Sequence, residues 1–181
     1  MDKNKAMFFD RDGIVNQRII GDYVKKAEEL NFMPYIFETI EAVKRSGYMA
    51  ILVTNQQGVG KGVMTEEDLH SVHDFMQKTL FTNSGYRFDD IYYCPELASA
   101  NSYYRKPNPG MLRAAIDKWN IDPTRSYMVG DSKTDIEAGI NASLATVLIS
   151  PSPIPGSPAA DYTYSSLREF IDQFRKNGII I

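Results

Sequence analysis

A single cysteine, Cys94, excludes an internal disulfide from this chain of 181 residues and makes a reducing cytoplasm the expected compartment. No apolar run reaches the length of a membrane span, so no membrane partner is expected. The start Met1-Asp-Lys-Asn-Lys5 lacks the layout of a secretory signal. Excess positive charge is missing too. Twenty Lys and Arg stand against 23 Asp and Glu (net charge −3), which leaves no broad basic footprint for nucleic acid. Histidine is scarce. His70 and His73 lie three residues apart in a helical pattern without supporting ligands, and are expected as surface or partly buried helix positions. No internal repeat is visible, and the one shift in composition, Ser150–Pro158, reads as a connector within a domain. Against these absences stand 43% hydrophobic and 12% aromatic residues, enough for a packed core in one domain over residues 1–181.

The apolar segments each end in chemistry. Ala6-Met-Phe-Phe runs into Asp10-Arg-Asp12-Gly13, two carboxylates one residue apart on a glycine turn. Placed at the carboxyl end of a buried strand, they face the part of an open α/β sheet where ligands bind. Their mutual repulsion calls for a cation, and Mg²⁺ suits hard oxygen ligands and phosphate substrates. Ile51-Leu-Val ends in Thr54-Asn55-Gln56-Gln57-Gly58, whose hydroxyl, amides and backbone N–H groups can hold phosphate oxygens. The nearby Gly60-Lys61-Gly62 is not a P-loop, because Asn55 and Gly62 occupy positions that need glycine and Ser or Thr. Arg105-Lys106-Pro107 offers two cations, one on a constrained backbone. Tyr127-Met-Val-Gly130 ends in Asp131, with Asp135 four residues on. Asp131 would complete a cation site with Asp10 and Asp12, and Asp135 would hold a water or Lys106 from behind; a helix cap at Asp131 explains the pattern equally well.

Strands are predicted near 6–10, 49–54, 90–94, 125–129 and 144–149, and helices near 35–46, 66–81, 109–119, 133–141 and 165–176. Thr65, followed by three acids, is a helix cap, and Leu167, Phe170, Ile171 and Phe174 form an apolar stripe. Such alternation predicts an α/β fold, a Rossmann-like parallel sheet with helices on both faces. Residues 14–34 are too few for a large cap domain.

Asp10-x-Asp12, Thr54, Lys106 and Gly130-Asp131-x-x-x-Asp135 together resemble the four motifs of the haloacid dehalogenase superfamily of phosphohydrolases, over roughly residues 6 to 150. Phe9–Asn16, Gly21-Asp-Tyr-Val24, Thr54–Gly58, Tyr92-Tyr-Cys-Pro95 and Arg105–Met111 are most similar to its heptose bisphosphate and histidinol phosphate phosphatases. The resemblance implies Asp10 as nucleophile, Asp12 as acid and base, and Thr54 and Lys106 as phosphate-holding catalytic residues. It implies Mg²⁺ held by Asp10, the Asp12 carbonyl and Asp131, with Asp135 behind them, and substrate contacts from Asn55, Gln56, Gln57, Arg105 and Lys106. A small phosphorylated sugar is the expected partner, for a monomer or weak homodimer.

Many relatives carry a zinc loop, Cys-x-His followed by Cys-x-Cys. Here Glu96 stands for the histidine, and Ser102 and Tyr104 for the later cysteines, so no structural zinc is expected. The loop 95–104 is then expected to be held by packing of Tyr103 and Tyr104, or to order only with substrate. The heptose branch implies removal of the 7-phosphate of D-glycero-D-manno-heptose 1,7-bisphosphate, with Arg105, or Lys61, for the remote phosphate. The histidinol phosphate branch would want an acid, for which Glu96 is available. A phosphosugar-binding protein without turnover is the third reading.

Overall fold

The computed structural model describes residues 3–181. Six parallel strands form one sheet: β1 (Ala6–Phe9), β2 (Met49–Asn55), β3 (Asp90–Cys94), β4 (Tyr127–Gly130), β5 (Ala145–Ile149) and β6 (Tyr162–Tyr164). Their order is β3-β2-β1-β4-β5-β6, which places β1 in the interior between β2 and β4. Helices α1 (Ile36–Arg45), α2 (Gln57–Gly60), α3 (Glu66–Ser84), α4 (Gly110–Lys118), α5 (Lys133–Asn141) and α6 (Leu167–Lys176) complete the fold. Among the described residues no helix is long and apolar enough to cross a membrane.

The period-2 alternation of the strands divides the core in two. Met7 and Phe9 join Leu52, Val129 and Val147 on one face, under Ile40 of α1, Met76 of α3 and Phe170 of α6. Ala6 and Phe8 join Ile51, Val53 and Met128 on the other, under Leu112 of α4 and Ala138 of α5. Because β1 is buried on both faces, its sequence is uniformly apolar and shows no alternation.

The predicted helices form with ends shifted by at most three residues, and α5 over its predicted range. The Thr65 side chain accepts from the Asp68 N–H, and Asp68 answers by accepting from Thr65, which starts α3. Two elements go beyond the prediction. The three-residue edge strand β6 carries only Tyr-Thr-Tyr, and α2 is a single turn with two glycines, so neither has the periodicity by which longer elements are read.

Candidate active site

Parallel pairing aligns the carboxyl ends of β1, β2 and β4, and the residues just beyond them converge. Asp10 leaves β1 with its N–H donated to Val129 of β4 (3.1 Å), which brings the chain of Asp10 beside that of Asp131. The turn after Asp12 passes so close to Asp131 that a Cβ on Gly13 would lie 1.9 Å from the Asp131 carboxylate, and φ there is +104°. Only glycine fits that turn without displacing Asp131.

Lys106 is buried, its ammonium 2.9 Å from the Asp10 carboxylate and 2.6 Å from that of Asp135, and it also donates to the Val53 carbonyl (2.8 Å). Burial alone would lower its pKa, but the two carboxylates outweigh it and raise the pKa. The backbone of Lys106 is clamped by Asn55, whose amide accepts from the Lys106 N–H and donates to its carbonyl, each at 3.0 Å. Asp135 is fully buried, and its other oxygen accepts from the Ser132 N–H and hydroxyl at the start of α5. The cap of α5 is therefore Ser132, and the Asp131 carboxylate is not used as a helix cap.

Asp12 sits among donors. Arg11, buried, donates to both of its oxygens at 3.1 Å; Asn16 and Gln56 each add a bond at 2.9 Å. Burial pushes the Asp12 carboxyl up, but the Arg11 charge and these hydrogen bonds hold it below the usual range. Arg11 also lies 3.3 Å from His73 Nε2. His73 is pushed down to about 3, first by burial and then by the Arg11 charge, so its ring is neutral. His73 is thus a buried neighbour of the site, whereas His70 bonds Tyr93 at the surface.

Oxygens of Asp10, Asp131 and Asp135 lie within 4.8 Å of one another. Burial and the neighbouring carboxylates push Asp131 up to about 7; Asp10 rises to about 6 for the same first reason, against the pull of Lys106. Asp135 is committed to Lys106 and Ser132, which leaves Asp10 and Asp131 as the carboxylates short of positive charge. An oxygen-only donor set short of charge fits a hard divalent cation. Arg18 supplies part of that charge: its Nη2 donates to the Asp12 carbonyl (2.9 Å) and to both Asp131 oxygens (2.9 and 3.1 Å).

Above these residues opens a cleft of about 630 Å³, lined by Asp10, Asp12, Arg18, Lys61, Arg105 and Lys106 among others. Asn55 and Gln57 reach it as well. Gln56, expected as a substrate contact, is instead fully buried and donates to Asp12 and to the Thr54 hydroxyl (2.8 Å). Thr54 is buried beside it. Glu96 does not face the cleft: its carbonyl accepts from Arg105 (3.0 Å), and its carboxylate lies 3.9 Å from Cys94 Sγ.

Tyr103 and Tyr104 do not hold the loop 95–104 by packing, since each is about half exposed. Hydrogen bonds do so. The Gly60 N–H donates to the Pro95 carbonyl (3.1 Å), Asn108 to the Ser102 carbonyl (2.8 Å), and the Gly110 N–H to the Tyr103 carbonyl (3.1 Å). Sequence patterns alone do not single out Arg18; for Arg11 they predict a place in the sheet or a salt bridge and no catalytic role, and the salt bridge is the one to Asp12. The available signal for Arg18 was a cation six residues beyond Asp12, on a segment too short to be a cap.

The family model described as HAD-hyrolase-like matches residues 103–152. The chain is 40% identical over 154 residues to the D-glycero-alpha-D-manno-heptose-1,7-bisphosphate 7-phosphatase of Burkholderia mallei, covering 81% of this chain and 80% of that protein. It is 35% identical over 170 residues to the D-glycero-beta-D-manno-heptose-1,7-bisphosphate 7-phosphatase of Helicobacter pylori, covering 93% and 96%. Its fold matches the D,D-heptose 1,7-bisphosphate phosphatase of B. bronchiseptica, solved with magnesium and phosphate, at a TM-score of 0.86 and 27% identity over 96% of this chain and 99% of that one. With the motif acids and Lys106 gathered at the strand ends, these likenesses make the chain a member of the heptose bisphosphate phosphatase family within the haloacid dehalogenase superfamily.

Proposed function

We propose that this protein is a Mg²⁺-dependent phosphatase that removes the 7-phosphate of D-glycero-D-manno-heptose 1,7-bisphosphate. The observation that carries the reading is the buried Asp10–Lys106–Asp135 array beside Asp131, at the floor of a cleft whose walls hold Arg105 and Lys61.

The Asp10 and Asp131 carboxylates and the Asp12 carbonyl are the groups to hold Mg²⁺. When bound, the ion withdraws charge from the phosphate oxygens and offsets repulsion between phosphate and carboxylate. Asp10 attacks phosphorus and the P–O bond to the sugar breaks, leaving an aspartyl-phosphate. Asp12 gives its proton to the departing sugar oxygen, then takes one from the water that attacks phosphorus and frees phosphate from Asp10. The donors around Asp12 favour its anion, which suits the second step. For the first, the approach of a phosphate dianion raises its proton affinity. Lys106 keeps Asp10 ionised, and Asn55 keeps Lys106 in place. Gln56 links Asp12 to Thr54 and orients both.

A bisphosphate needs a second cationic contact, and Arg105 with Lys61 supplies it. Histidinol phosphate would want an acid for its amine. Glu96 faces away, and Asp22 at the cleft rim is paired with Lys25 (2.6 Å), so the bisphosphate is the better fit. The test is Mg²⁺-dependent phosphate release from both heptose 1,7-bisphosphate anomers and from histidinol phosphate, with Asp10→Asn as the blank. Strong preference for a heptose anomer is the expected result. Preference for histidinol phosphate would overturn the substrate, and no release from any would favour a binding protein.

A further inference from the structure

We infer that the Arg18 guanidinium is a competing internal cation for the proposed divalent site, and that Mg²⁺ binds only by displacing it. The inference rests on the cation site proposed above. Two of the groups assigned to Mg²⁺, the Asp12 carbonyl and the Asp131 carboxylate, are the acceptors that a single nitrogen of Arg18 occupies. That nitrogen lies 2.9–3.1 Å from all three oxygens, in the space that an ion bridging them takes. The Arg18 side chain is 50% exposed and joins the site from a segment with no regular secondary structure, so it can leave at little cost. It also lies on the boundary between two cavities, the cleft and a second space of about 440 Å³ lined by Gly13, Tyr35 and Leu167, which gives the displaced side chain room on either side.

The exchange has a direct thermodynamic consequence. A protein whose binding-competent state is only partly populated binds its ligand more weakly by that fraction. Holding the closed arrangement with a half-exposed ion pair makes Mg²⁺ binding about fivefold weaker than it would be with Arg18 absent.

Isothermal titration of metal-free protein with MgCl₂, without substrate, tests this on the wild type and on Arg18→Gln and Arg18→Lys. Tighter binding is expected for Arg18→Gln by about fivefold, with Arg18→Lys between, because lysine keeps the charge but carries it on a more strongly hydrated ammonium. Equal or weaker binding by Arg18→Gln, with the wild type binding normally, would overturn the inference and leave the cation site standing. Binding to none of the three would remove the site itself. A readout that needs no folded variant is the ¹⁵N signal of the Arg18 side chain in the wild type. It should shift as Mg²⁺ is added, and an unmoved signal in a protein that binds Mg²⁺ would contradict displacement.

Discussion

Lys106 joins two acids of the cluster and Arg18 holds a third, yet the first side chain is 2% exposed and the second 50%. Lys106 is fixed on every side, by two carboxylates, a strand carbonyl and the Asn55 clamp on its backbone. Arg18 reaches in from solvent and is held by its tip alone. Burial therefore separates two uses of positive charge at one site. A buried cation between two buried anions is permanent, because removing it leaves charge in a low-dielectric place. An exposed one is exchangeable, because water and salt replace most of what it contributes.

Lys106→Met sharpens the contrast most. It strands Asp10 and Asp135 in the interior, and loses about 3–5 kcal/mol of stability by urea melting, together with nearly all phosphate release. Stability within about 1 kcal/mol of wild type would mean that Lys106 is no more fixed than Arg18. Asp12→Asn follows. It removes the proposed proton carrier and should cut turnover by about 10²–10⁴-fold with substrate affinity largely kept, in steady-state assays.

The pH dependence is a gentler test. Asp131 binds its proton more tightly in the folded protein, so metal-free stability falls as pH rises from the ordinary carboxylate value of 3.8 towards about 7. Mg²⁺ binds the deprotonated form and must expel that proton at lower pH. The increase in melting temperature given by Mg²⁺ should therefore be larger at about pH 8 than at about pH 6, and no difference would count against Asp131 as a ligand. The smallest effect belongs to Arg18→Gln, which should change metal-free stability by less than about 1 kcal/mol. A loss on the scale of Lys106→Met would erase the comparison.

What could be read in the sequence follows from the same distinction between local and long-range causes. The buried strands announce themselves as apolar runs ending in Asp10, Thr54 and Asp131, since a parallel strand covered on both faces admits little else. The parallel α/β fold is thus legible from segments alone. The contacts of Gln56 are not. A glutamine on a strand-to-helix turn looks solvent-facing, and only the proximity of Asp12 and Thr54 in space explains its burial. Arg18 escaped notice for a similar reason: its partner Asp131 is 113 residues away. Side chains alone predict that the loop after Cys94 leans on Tyr103 and Tyr104 or orders only with substrate, but backbone carbonyls secure it, and these carry no mark in a sequence of side chains.

With Asp10 as the proposed nucleophile, an acyl phosphate on its side chain should form during turnover. Acid quench of the wild-type protein during turnover of the heptose bisphosphate, followed by peptide mass spectrometry, tests it most directly, because acid preserves an acyl phosphate. The expected result is one added phosphoryl group on the peptide that contains Asp10, dependent on Mg²⁺ and absent in Asp10→Asn. Product formed with no adduct, or an adduct on another residue, would contradict it.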